Sequence, residues 1–181
     1  MRSLLFAEKN DSGLEQFSLR ILLLAMMALL LYPLSASAQC VTSWKGGAAG
    51  NWSVTANWTA GVPSNNNACI STANSAVTLN IAGATAANLT LGMNTDSLFF
   101  NNGTSLTVSG STISNAGTIS LNSAGNFTEL VIGAPNVTLS GGGTLTMSNN
   151  VNNYILGSLT TDTLTNQETI QGAGHIGNGQ M

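Results

Sequence analysis

Between residues 77 and 181, short runs that alternate an apolar residue with a small polar one keep returning. Leu89-Thr90-Leu91, Leu106-Thr107-Val108, Ile119-Ser120-Leu121, Val137-Thr138-Leu139 and Leu145-Thr146-Met147 have this form, and turn formers (Gly, Asn, Ser) follow each one. A period of two suits a strand with one buried face. Further strand signals fall at Val77-Thr78-Leu79 and at 87–91, 97–100, 112–113, 117–121, 129–132, 154–156 and 169–170. No segment repeats its apolar residues every 3.6 positions over the length that a helix requires. Strands this short, joined by tight turns, fit stacked coils better than a sandwich, whose strands run to about 5–6 residues. The expected fold is therefore all-β, a right-handed parallel β-helix (β-solenoid). Asn115-Ala116-Gly117-Thr118-Ile119 and Asn166-Gln167-Glu168-Thr169-Ile170 share an N-x-x-T-I pattern, a repeat too degenerate to set a period.

The start of the chain reads differently. Residues 21–31 are an unbroken apolar run behind Arg20, and Ala36-Ser37-Ala38 closes the segment with a small-residue cleavage pattern. This predicts a signal-peptide helix over 1–38 and a mature chain beginning at Gln39, secreted or held at the cell surface. The run is shorter than the roughly 20 residues that span a bilayer. An uncleaved anchor is the alternative. Lipid attachment at Cys40 would call for a small residue before it, and Gln39 is not one. Glu8, Asp11 and Glu15 offset Arg2, Lys9 and Arg20, so the n-region reads as an extended one.

Residues 39–75 form a second region, ahead of the solenoid coils expected over 76–181. Trp44, Trp52 and Trp58 all lie here among glycines, before Pro63 and a Ser64-Asn65-Asn66-Asn67 loop. Large rings suit a cap over the open end of a solenoid. The same three indoles would alternatively form a sugar-stacking platform, the mark of a carbohydrate-binding module. Cys40 and Cys69 are the only cysteines, an even count that favours a disulfide in an exported protein. Two unrelated cysteines are the alternative.

Charge and motifs narrow the chemistry. Of 181 residues 6% are charged and 43% hydrophobic, with a net charge of −3. Four basic residues make no phosphate-tracking surface, so no nucleic-acid partner is expected. The apolar fraction is high enough to build a core rather than leave the chain disordered. Gly172-Ala173-Gly174-His175-Ile176-Gly177 fits G-x-G-x-x-G, but a dinucleotide site needs that turn to open a helix. Gly141-Gly142-Gly143 resembles a glycine-rich calcium repeat without its aspartate. Polysaccharide cleavage on a β-helix would need paired carboxylates, or acidic calcium ligands beside a base. Asp96, Glu129, Asp162 and Glu168 are widely spaced, and Lys45 is the only lysine or arginine after residue 38. No enzyme activity, metal or cofactor is expected. Asn-rich turns predict amide ladders between coils. The sequons at Asn88 and Asn136 follow from composition.

Trp44…Gly50-Asn51-Trp52-Ser53…Asn57-Trp58…Gly61-Val62-Pro63, with the strands at 77–79 and 89–91, resembles the opening of bacterial autotransporter-type or filamentous-adhesin-like β-helix surface proteins. Leu164-Thr165-Asn166…Thr169-Ile170-Gln171-Gly172-Ala173-Gly174-His175-Ile176-Gly177 is similar to a repeat in the same proteins. The resemblance implies a non-enzymatic rod at the outer membrane or beyond, with a structural or adhesive role. It further implies a longer protein with more coils and a translocator barrel or sorting signal, of which this chain would be an N-terminal fragment. The implied partners are a host-surface or extracellular polysaccharide or protein ligand. The membrane would be met only through the export signal, and an unpaired last coil would favour end-to-end self-association.

Overall fold

The computed structural model describes residues 39–181, and the leader expected over 1–38 lies outside the described residues. Each alternating run forms a strand, and the chain winds so that each strand lies beside the one a full turn later. The first winding carries β1 (Thr42–Ser43) and β2 (Ala49–Asn51), followed by a short 3-10 helix, Thr55–Asn57. The second carries β3 (Ala68–Ile70), β4 (Ala76–Leu79) and β5 (Ala84–Ala86). The third has β6 (Leu89–Leu91), β7 (Ser97–Phe100) and β8 (Ser105–Val108). The fourth has β9 (Thr112–Asn115), β10 (Thr118–Leu121) and β11 (Thr128–Ile132). In the fifth, β12 (Val137–Ser140) precedes β13 (Thr144–Gly157), which turns a corner and serves two faces. The sixth carries β14 (Leu164–Asn166) and β15 (Thr169–Ile176).

Every pairing between these strands is parallel, and the stack has three faces. Face one is the 6-stranded sheet β1-β3-β6-β9-β12-β14. Face two runs β2-β4-β7-β10 and onto the first part of β13, and face three runs β5-β8-β11 and onto its second part. The result is a β-solenoid of about six windings. Because β1 and β2 pair directly with β3 and β4, residues 39–67 form the first winding of this stack, and β3, also inside the region expected over 39–75, belongs to the second.

The core follows from the alternation. On face two, Val77, Leu98, Ile119 and Leu145 stand in one register row and are all fully buried. Leu79, Phe100 and Leu121 form the next inward row. Fully burying such a side chain contributes about 1.5–3 kcal/mol, and the inter-winding ladder satisfies the backbone that carries it.

Three features depart from the expected strands. The strand β5 is built from alanines, which give little alternation signal, yet Ala84 and Ala86 point inward and are buried. The strand β13 continues through the Asn-rich stretch 148–153 that reads as a turn. Buried Asn153 makes this possible, because its Nδ2 donates to the carbonyls of Ser148, Asn150 and Ala173 while its Oδ1 accepts from Ser123 N. The strand β15 runs to Ile176 through the glycine-rich segment, so Gly172–Gly177 opens no helix.

Winding length varies from about 21 residues (Ala68 to Leu89) to about 27 (Leu139 to Asn166), which explains why no period emerges from the sequence. The two N-x-x-T-I stretches share local chemistry. In each, the Asn side-chain oxygen accepts the backbone N–H two residues on, Gly117 in one and Glu168 in the other. Thr118 and Thr169 then fall in one row, both beside Thr144. The asparagines do not, since Asn166 pairs with Leu139, whose other neighbour is Ile113 rather than Asn115. A short amide ladder does exist: Asn88 Nδ2 donates to Asn67 Oδ1 at 2.9 Å, and Asn88 Oδ1 accepts from Thr112 N at 2.9 Å. Most other turn asparagines bond to backbone instead.

Candidate functional site

At the first winding, Cys40 and Cys69 form a disulfide with a Cα separation of 5.7 Å. It ties Cys40, two residues before β1, to the middle of β3. The three indoles sit together nearby, with Trp44 and Trp52 both edge-on to Trp58 at centroid distances of 5.3 and 4.8 Å. Their exposures are 3%, 0% and 1% for Trp44, Trp52 and Trp58. Trp58 Nε1 donates to Trp52 O, Trp44 Nε1 donates to Gly47 O, and Trp52 Nε1 is buried without a partner. A sugar needs an open ring face to stack on, and these rings offer none. Trp44, Trp52 and Trp58, whose alternative to a cap was a sugar-stacking platform, pack into the interior of the first winding.

The acids are spread over the stack. Asp96 is fully buried in the turn before β7, where its carboxylate accepts from Ser75 N at 3.2 Å and Met93 N at 3.1 Å. Asp162 repeats the local half of this arrangement in the turn before β14, accepting from Leu159 N at 2.8 Å. In both turns the aspartate's own N–H donates back to the residue three positions earlier. Glu168 accepts from buried Asn115 Nδ2 at 2.8 Å, and its Oε1 is buried without a partner. These three carboxylates serve turns and corners. Glu129 stands apart on the outward side of face three.

Around Glu129 the winding gathers side chains far apart in sequence. One outward row reads Ser105, Glu129, Tyr154, His175, and the next reads Thr107, Val131, Leu156. Phe127 precedes β11 and is 62% exposed, edge-on to Tyr154 at 5.3 Å and 84°. Tyr154 also stacks on His175 at 4.9 Å and 20°. Phe127, Glu129, Tyr154, Leu156, Asn178 and Gln180 line a pocket of about 210 Å³. The loop that brings Asn178 and Gln180 there is fixed by Gly177 N donating to Ile155 O and Gln180 N donating to Gly177 O.

The chain matches no family model, no curated protein and no solved structure.

Chemically, the pocket offers two aromatic rings, an aliphatic wall, one carboxylate and two primary amides. Glycoside cleavage uses two carboxylates about 5–9.5 Å apart, and one carboxylate lines this pocket. Among the described residues no group of three or more His, Cys, Asp or Glu side chains is placed to hold a metal ion. In the sequence Glu129, Tyr154 and His175 fall in separate runs, and nothing there brings them together. Their neighbourhood depends on winding lengths that differ from turn to turn, so no fixed spacing announced it.

Proposed function

We propose that residues 39–181 are an exported, non-enzymatic scaffold segment with a structural or adhesive role, making contacts along its faces. The observation that carries this reading is the continuous outward row Ser97, Thr118, Thr144 and Thr169 on face two, one hydroxyl per winding at the strand spacing of about 4.8 Å. Face one repeats it with Thr112, Thr138 and Thr165. Such rows form a long, uncharged surface that grows with each winding, which suits contact over length.

Export is supported by the Cys40–Cys69 disulfide, a bond that persists in oxidising compartments. The leader pattern over 1–38 supports the same compartment, and the resemblance to autotransporter-type proteins supports a cell-surface rod. A right-handed winding is part of the proposal, since parallel crossover connections take that hand in about 98% of cases. So is a capping role for Trp44, Trp52 and Trp58. Among the described residues no strand extends face three beyond β5 in the first winding, and the indoles fill the interior there.

The test is expression with the native N-terminal segment in a bacterial host, followed by fractionation, N-terminal sequencing and non-reducing electrophoresis. The expected product lies outside the cytoplasm, starts at Gln39 and migrates faster unreduced than reduced. A cytoplasmic product with Met1 intact and both thiols free would overturn the reading.

A further inference from the structure

The outward side of face three at windings four to six differs from the other faces. Elsewhere the outward rows are mostly Thr and Ser, whereas here Phe127, Tyr154, Leu156 and Val131 form an aromatic and aliphatic patch beside one carboxylate. A phenyl ring left 62% exposed forgoes much of what its burial would contribute, since an aromatic side chain can bury about 150–250 Å². Phe127 is held there rather than free, because it meets Tyr154 edge-on and Tyr154 is backed by His175. The rings are thus pre-positioned, and a ligand would immobilise little on arrival.

From these residues we infer that the pocket binds one ring of a neutral saccharide. A pyranose has an apolar C–H face and a rim of hydroxyls. Its C–H hydrogens carry partial positive charge and suit the negative face of an aromatic ring, supplied by the exposed ring of Phe127, which Tyr154 holds in place. Its hydroxyls both donate and accept. The Glu129 carboxylate accepts, and the amides of Asn178 and Gln180 do both. The volume of about 210 Å³ lies below the roughly 300–1,000 Å³ of drug-sized sites, which matches a single ring rather than a folded partner.

Charge selects among saccharides. Glu129 lines the pocket, and Lys45, the one Lys or Arg among the described residues, lies between β1 and β2 on the first winding. A uronate would meet the like charge of Glu129 with no lysine or arginine nearby. A neutral hexose or pentose chain meets neither penalty. The pocket stands on residues separate from the hydroxyl rows and from the leader, so it holds whether or not the chain is exported.

Native affinity electrophoresis of the full-length chain tests this, in gels containing dissolved hydroxyethyl cellulose, galactomannan, β-1,3-glucan, arabinoxylan or polygalacturonate. At least one neutral gel is expected to retard the protein, and polygalacturonate is not. Phe127→Ala, at an exposed position, should raise the dissociation constant about tenfold, and Tyr154→Ala should do the same with an unchanged circular dichroism spectrum. Phe99→Ala, on the outward side of face two, should leave retardation intact. The inference is overturned by mobility unchanged in every neutral gel, by retardation in polygalacturonate alone, or by full retardation of the Phe127→Ala protein. Free thiols and a cytoplasmic location would sink the export reading without touching this one.

Discussion

Cutting the Cys40–Cys69 bond should loosen the first winding before the rest of the stack. Apart from its buried indoles, that winding has few ladder pairs: β1 offers two residues to β3, and β2 offers three to β4. The cross-link closes a sequence separation of 29, for which the chain-entropy relation yields about 3.6 kcal/mol at 25 °C. In a stack where each winding touches only its neighbours, that loss falls on the end and not evenly over the whole. All three tryptophans lie in this winding, so indole fluorescence reports it alone, while far-UV circular dichroism reports all the strands. With the disulfide intact, the two signals should change together as urea is raised. After reduction, or in a Cys40→Ser/Cys69→Ser variant, the fluorescence transition should move down by about 2 M for a slope of about 2 kcal/mol/M. The dichroism should lag behind it. If reduction leaves the fluorescence midpoint where it was, the cross-link contributes nothing to this end. If both signals shift by the same amount, the winding does not unfold locally, and the nearest-neighbour argument is wrong.

Two further substitutions probe the stack. Asp96→Ala removes two hydrogen bonds to a buried carboxylate and leaves Ser75 N–H and Met93 N–H without acceptors, so urea unfolding should show a loss of about 3 kcal/mol. A loss under 1 kcal/mol would mean that water reaches that turn. Gly117→Ala would set a Cβ against Asp96 O and force β7 and β10 apart, at a cost of about 2 kcal/mol or more in the same assay, and a neutral result would show the corner to be pliable.

Legibility in the sequence followed side-chain size. Where an inward row is Leu, Ile, Val or Phe, as in β4, β7 and β10, the alternation stands out and the strand can be placed within a residue or so. In β5 the inward residues are Ala84 and Ala86, too weakly hydrophobic to outweigh their glycine and threonine neighbours, and the strand is invisible without the winding that positions it. The middle of β13 is hidden for the opposite reason. Its asparagines favour turns by local propensity, and tertiary hydrogen bonds to Asn153 override that preference. The tryptophans were ambiguous because a large ring is equally at home inside a fold or against a ligand, and only their burial decides between the two.

The pocket on face three shows why the site was harder to read than the scaffold. A strand announces itself within a few residues, because its physics is local alternation. A row across windings is a relation between residues about 21–25 positions apart, and the separation changes whenever a corner gains or loses a residue. Glu129 and Tyr154 are neighbours only because the one winding that separates them has the right length, and Tyr154 meets His175 only because the next winding is shorter. The hydroxyl rows of faces one and two are less sensitive to a shift that keeps the inward residues inward, since Thr or Ser fills most outward positions there. The aromatic patch does not survive such a shift. An insertion of one residue between Phe127 and Tyr154 would turn a ring inward or part the pair, so a ligand site on this solenoid depends on corner lengths as strictly as on the side chains themselves.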